Sequence, residues 1–197
     1  MTAIILASQS AARRRMLDEA GVPFRAESPM VDEETAKAAF AHLAARDLAD
    51  ALAELKAVKL SARFPGDLVI GSDQVLQADD GALLDKPGTR DRAEAQLRML
   101  AGRPHRLHSA VVVAEGGRPV WRAVDRATLH MRALGDDFLA DYLDREGDAI
   151  LGCVGCYRIE GLGIQLFSRI EGSHSTILGM PLLPLLDYLR TRKLILA

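Results

Sequence analysis

Asp73 closes the run Leu68-Val69-Ile70-Gly71-Ser72-Asp73, a carboxylate at the end of a short apolar stretch. A carboxylate there can serve as a general base or a metal ligand, or it can be a turn-forming aspartate bonded to its own backbone. A second group is Ser8-x-Ser10-x-x-Arg13-Arg14-Arg15, between an apolar run and a helical pattern. Hydroxyls and guanidinium forks at a helix N-terminus match phosphate oxygens. The same residues would also make a capped helix with a solvated basic face, because three successive arginines point in different directions. Lys56, Lys59 and Lys86, the last wedged in Asp85-Lys86-Pro87, could complete a polyphosphate cradle or be solvated surface cations. Asp32-Glu33-Glu34 offers a metal ligand or a helix-start acidic cluster favoured by the dipole.

The elements that must position these residues follow from pattern and punctuation. Residues 3–7 form a buried strand, and a Ser8-Gln9-Ser10 turn leads into a helix over 11–20 that Gly21 and Pro23 stop. Phe24 to Glu27 make a second strand. Ala-rich helices are expected near 36–46 and 48–63, the second ending at Phe64-Pro65-Gly66. The strand at 68–70 carries Gly71 to Gln74 at its carboxyl end, and Val75-Leu76 resume the strand pattern before an Asp79-Asp80-Gly81 turn. A helix over 90–100, long strands at 107–114 and 120–131 joined through Glu115-Gly116-Gly117, and a helix over 136–145 come next. A glycine-rich loop at 152–163, a strand at 164–170 and a helix over 182–192 complete the chain. Helices alternate with strands and a hairpin interrupts them, which predicts an α/β fold with a mixed sheet.

Composition excludes several classes. The 197 residues are 49% hydrophobic with a net charge of −2, too apolar and too nearly neutral for a disordered chain or a general nucleic-acid coat. No apolar run reaches the roughly 18–20 residues of a membrane span, and the first residues lack a basic n-region, so a cytoplasmic protein is expected. Cys153 and Cys156 have no second Cys pair for zinc and no helix start for a thioredoxin-like thiolate, and read as two small buried residues in a turn, dispensable for chemistry. Gly161-Leu162-Gly163 fails as a dinucleotide fingerprint, and no P-loop and no nucleophile elbow occur. His105 and His108, three apart on a strand, face opposite sides.

Together these residues resemble the Maf-like family of nucleotide pyrophosphatases, nearly end to end. The motifs are Leu6-Ala7-Ser8-Gln9-Ser10-Ala11-Ala12-Arg13-Arg14, Val31-Asp32-Glu33, Leu55-Lys56-Ala57, Gly71-Ser72-Asp73-Gln74-Val75, Lys86-Pro87, Glu160-Gly161-x-Gly163, Ile170-Glu171-Gly172 and Leu178-Gly179-Met180-Pro181-Leu182. The resemblance implies one domain over 1–197 in which two lobes share an elongated mixed sheet flanked by helices around a cleft, similar to the inosine triphosphate pyrophosphatases. It implies the reaction NTP + H2O → NMP + diphosphate, with a divalent cation (Mg2+ or Mn2+), no organic cofactor, a small nucleotide as partner rather than nucleic acid or membrane, and room for a homodimer. Asp73 would accept the proton of the attacking water. Ser8, Arg13, Arg14, Lys56 and Lys86 would hold phosphates, with Arg13 and Lys86 on opposite sides of the cleft. Glu33 and Asp73 would hold the metal, and Ala12, Gln74 and Glu160 stand where the family varies with base preference. A nucleotide-sensing regulator of septum formation would keep the phosphate cradle and need no base; Asp73 favours catalysis.

Gly-Ser-Asp-Gln with Glu160-Gly161 is closest to the branch acting on 7-methyl-GTP, whereas the UTP/dTTP branch usually carries Asp-Thr and Gln-Gly. An ionised Glu160 only accepts hydrogen bonds, which suits the two adjacent donors of guanine if the carboxylate is buried against the base. Ala12 replaces an aromatic residue that the 7-methyl-GTP enzymes can carry, and His108-Ser109-Ala110 replaces a frequent Thr-Gly pair.

Overall fold

The computed structural model describes residues 2–196. Its sheet, seven-stranded among the described residues, has the order β2-β1-β3-β5-β6-β7, with β4 paired to β3. The parallel part is β1 (Ile4–Ala7) between β2 (Arg25–Glu27) and β3 (Leu68–Ala78). Antiparallel pairs join β3 to β4 (Leu83–Leu84), and β6 (Arg118–Met131) to β7 (Phe167–Glu171). β5 (Pro104–Glu115) reaches β6 through Gly116-Gly117, at φ 54° and 77°, the backbone that a two-residue type I′ turn requires. The α/β fold with a mixed sheet is therefore as the alternation of patterns predicts.

Two compact units make up the chain. The first holds the chain up to Gln74, His108–Arg126 and the chain from Ser173 onward; the second holds Val75–Leu107 and Ala127–Gly172. In the first unit, α1 (Ala11–Glu19) starts where the Ser10 hydroxyl accepts from the Arg13 amide. α2 (Glu33–Ala39) starts where Asp32 accepts from the Thr35 amide at 3.1 Å, so the acidic run is the first turn of the helix and not the loop before it. α3 (Ala45–Ser61) buries Leu48, Leu52, Lys56 and Leu60 at four-residue spacing. Ile4, Leu6, Leu68 and Ile70 pack on one side of the sheet with Met16 and Leu17 of α1 and Leu185 and Leu189 of α7 (Leu182–Thr191). Ile5, Ala7 and Val69 pack on the other side with Leu60 of α3. Successive residues of one strand thus feed two cores.

The second unit contains β4, α4 (Arg90–Leu100), α5 (Asp136–Glu146) and β7. Leu139, Tyr142, Leu143 and Glu146 form the buried stripe of α5, and Glu146 meets Arg158 at 2.7 Å. Three expectations need correction. β3 runs unbroken through residues 71–74, because Ser72 and Asp73 find side-chain partners that let the ladder continue. Leu162–Leu166 is a 3-10 turn and the strand begins only at Phe167: Gly163 lies so close to the Arg158 backbone (2.7 Å from its nitrogen for a Cβ) that the chain coils there. The one-turn helix α6 (His174–Ile177) stands where no element is expected from sequence. Cys156 is buried and Cys153 half-buried, both in turns as expected; burial raises both thiols, Cys156 up to about 12.

His105 is wholly buried beside Tyr157 and Phe167, its Nε2 2.7 Å from the Tyr157 hydroxyl and its Nδ1 without a partner. Burial, with a smaller contribution from His130, pushes it down from 6.5 to about 4. Because the unfolded chain binds this proton more readily, the neutral ring contributes stability above pH 6.5 that is lost as pH falls towards 4. Urea unfolding of His105→Gln should show a shallower loss across that window, by up to about 1.4 kcal/mol per pH unit. An unchanged slope would exclude His105 as the titrating group.

Candidate active site

Gly71 sets the spacing between β3 and α3. A Cβ there would collide with the Ala53 carbonyl and stand 2.6 Å from the Ala57 nitrogen, so only a residue without a side chain lets the helix lie flush on the strand. Asp73 shares that face of the strand, two residues on, and Lys56 lies between Ala53 and Ala57 on the helix. Lys56 Nζ consequently meets Asp73 Oδ1 at 2.6 Å, both side chains buried. The same ammonium meets Glu33 Oε1, in the first turn of α2, at 2.7 Å. Lys59, the other lysine of the helix, is exposed and donates to the Met30 carbonyl.

The β1–α1 turn stands beside this cluster. Ala7 is level with Gly71, and β1 ends there while β3 continues, so Ser8 leaves the sheet at the level of Ser72 and Asp73. Ser8 is buried and its hydroxyl accepts from the Ser10 amide at 3.2 Å and from Arg13 Nη1 at 3.5 Å. Arg13 Nε donates to the Gly179 carbonyl at 2.9 Å. Burial lowers the guanidinium from its ordinary value, and the negative charges of Asp73 and Glu33 act in the opposite direction. It remains a cation, as arginine does throughout the accessible range. Arg14 and Arg15 are exposed; Arg14 donates to the Gln9 carbonyl and Arg15 pairs with Glu19.

One face of β3 therefore serves the charges, and the other ties down the segment after Ser173. The Ser72 hydroxyl lies 2.8 Å from the Ala110 carbonyl and 2.9 Å from that of Gly179. Gln74 Nε2 lies within 2.9–3.0 Å of the Ser109 hydroxyl and the Thr176 and Ile177 carbonyls. The amide nitrogen of Gln74 is thus engaged inside the protein. Ser109 donates to the Thr176 carbonyl at 2.7 Å, which gives the His108-Ser109-Ala110 departure a structural role.

The expected residues fall into two sets. Ser8, Ala12, Arg13, Arg14, Glu33, Lys56, Asp73 and Gln74 belong to the first unit; Lys86 and Glu160 belong to the second. Lys86 is exposed before α4, Glu160 is exposed, and both act electrostatically on the half-buried Cys153. Sequence reasoning left Ser72 and Gly71 without roles; a glycine within an apolar strand was the available signal of close backbone approach.

Glu33 and Asp73, both on the Lys56 ammonium, are the carboxylates of this cluster whose hard oxygens could hold a divalent cation. Among the described residues no group of three or more His, Cys, Asp or Glu side chains is placed to hold a metal ion. No helix among them is long and apolar enough to cross a membrane.

A family profile described as "Maf-like protein" matches residues 3–192. The chain belongs to the Maf family. It is 54% identical over 192 residues to a protein of Caulobacter vibrioides (96% of each chain) and 52% identical over 189 residues to one of Sphingopyxis alaskensis (95% of this chain, 96% of the relative). It is also 49% identical over 194 residues to one of Ruegeria pomeroyi (98% and 97%). All three relatives are named nucleoside triphosphate pyrophosphatase. Residues 3–192, the span of that match, include the first unit's cluster of Ser8, Arg13, Glu33, Lys56 and Asp73.

In this Maf protein the ion pair carries a stability consequence. Lys56→Met removes the ammonium and leaves Asp73 buried without its ion-pair partner, the charge of Arg13 being its remaining offset, a loss of about 3–5 kcal/mol. Adding Asp73→Asn should restore a substantial part of it in denaturant unfolding. A single mutant as stable as the parent would show that the pair is open in solution.

Proposed function

We propose that the chain is a nucleoside triphosphate pyrophosphatase, a hydrolase that releases diphosphate and the nucleoside monophosphate, with the first unit's cluster as its reacting centre. The observation that carries this reading is the buried Asp73–Lys56 pair, with Glu33 on the same ammonium, beside Ser8 and Arg13, in a chain about half identical to proteins of that name. Water attacks the α-phosphorus, the bond to the oxygen bridging to the β-phosphorus breaks, and the diphosphate leaves with that electron pair. Asp73 accepts the proton of the attacking water, and Lys56 fixes the position of the carboxylate. Ser8 and Arg13 hold phosphate oxygens, and Arg13 offsets the charge that builds on them. Arg14 and Lys86 stay in the phosphate-binding set as exposed cations whose roles rest on the family motifs. When bound, Mg2+ or Mn2+, held by Glu33 and Asp73, would neutralise phosphate charge.

Asp73→Asn keeps the shape of the side chain and removes its proton affinity. Diphosphate release from GTP and UTP with Mg2+ should fall by about 10²–10⁴ in kcat, the range for loss of a general base, with nucleotide binding largely kept. Wild-type turnover in this variant would leave Asp73 a structural partner of Lys56. Nucleotide binding by the wild type without diphosphate release would leave a sensor in place of an enzyme.

Base preference is a separate proposal that rests on the chemistry of Glu160. An acceptor-only carboxylate favours the N1–H and N2–H2 edge of guanine, and methylation at N7 adds a positive charge. Glu160 is exposed, so the condition of a carboxylate buried against the base is not met by the chain alone, which keeps the discrimination at the low end, about 5–10-fold. The expected order in kcat/KM is 7-methyl-GTP, then GTP, then UTP and dTTP, and Glu160→Gln should narrow it. A panel led by UTP or dTTP would overturn this preference and leave the pyrophosphatase reading standing.

A further inference from the structure

Gly179 follows the one-turn helix α6 at φ +104°, a conformation that L side chains rarely adopt. Its carbonyl receives Arg13 Nε at 2.9 Å and lies 2.9 Å from the Ser72 hydroxyl. A Cβ on Gly179 would stand 3.2 Å from Arg13 Nη2 and 3.3 Å from Nε. The guanidinium is therefore laid against the bare Cα of Gly179 and held at its Nε edge, while Nη1 reaches Ser8. The segment that presents this carbonyl is itself anchored. Gln74 and Ser109 hold the Thr176 carbonyl, and the Thr176 hydroxyl donates to Asp125 at 2.6 Å.

We propose that Gly179 is a positioning residue for Arg13: its carbonyl fixes the orientation of the guanidinium, and its missing side chain gives the guanidinium its place. Five N–H groups leave arginine in a rigid fork, so fixing Nε determines where the Nη2 edge points. Ser72 supports the same carbonyl from the residue adjoining Asp73, so the cation and the carboxylate share one backbone reference. This inference rests on the reading of Arg13 as a phosphate ligand.

A double-mutant cycle on diphosphate release from GTP tests it. Arg13→Ala should lower kcat/KM by about 10²–10³, the size of losing one preorganised donor to the reacting group. Gly179→Ala should lower it by about 10–100-fold in the parent and by less than about twofold in the Arg13→Ala background, since it acts only through the guanidinium. A role confined to folding would lower both backgrounds alike, and that result, or no loss in the parent, overturns the proposal. Thermal unfolding of each variant accompanies the cycle. If Gly179→Ala does not fold, Ser72→Ala replaces it, with a loss of about 3–10-fold that again vanishes without Arg13. A Ser72→Ala loss that persists without Arg13 overturns the proposal equally. An Arg13→Ala enzyme of full activity removes the phosphate-ligand reading itself, whereas a large Arg13→Ala effect with independent Gly179→Ala removes only the positioning role.

Discussion

The ammonium of Lys56 is held out of water between two carboxylates, and the first unit is arranged around keeping it there. An isolated charge in that position costs several kcal/mol, which only close opposite charges can offset. Closeness comes from Gly71, whose lack of a side chain brings α3 down onto β3. The second carboxylate is Glu33, the first residue of α2, set there because Asp32 caps the helix through Thr35. The arrangement leaves a negative pair and a fixed cation next to Arg13, and the proposed phosphate binding and water activation would draw on it.

The alternation of a single strand explains how so small a region serves two purposes. Gly71 and Asp73 face α3; Ser72 and Gln74 face α6 and the chain that follows it. Because β1 stops level with Gly71, β3 carries Ser72 and Asp73 beyond its parallel partner, where the β1–α1 turn delivers Ser8 and Arg13. The strand is thus both ladder and site, and its polar residues are tolerated in the interior because each finds a partner on its own side.

Much of this was legible in the sequence. The long helices and strands announce themselves by period and by stop signals, and Asp73, Lys56, Arg13 and Glu33 were picked out by residue type. The burial of Lys56 was missed although the pattern held it: the residue occupies the Leu48, Leu52, Leu60 stripe of α3, where a charge implies a partner, just as Glu146 occupies the stripe of α5 opposite Arg158. What the pattern hid was short or non-local. A two-residue strand and a four-residue helix are below the length at which periodicity registers. Gly71-Ser72-Asp73-Gln74 has turn composition, and only partners 17 to 107 residues away make it a strand. The apolar run at 162–166 looks like a strand until Gly163 meets the backbone of Arg158. Ser109, an unexplained departure from the family pattern, becomes intelligible only beside Thr176.

α6 is a single turn, too short to persist alone in water, and its terminal carbonyls are held by Gln74, a side chain from the middle of β3. This fixes an order of events on the ribosome. Ser72, beside Asp73, is synthesised 107 residues and Arg13 166 residues before Gly179, whose carbonyl supports the Arg13 guanidinium. Until Gly179 emerges and docks, the nascent chain has its charges but not the backbone carbonyl that holds Arg13. The geometry of the cluster therefore waits on a segment far along the chain from the residues it serves.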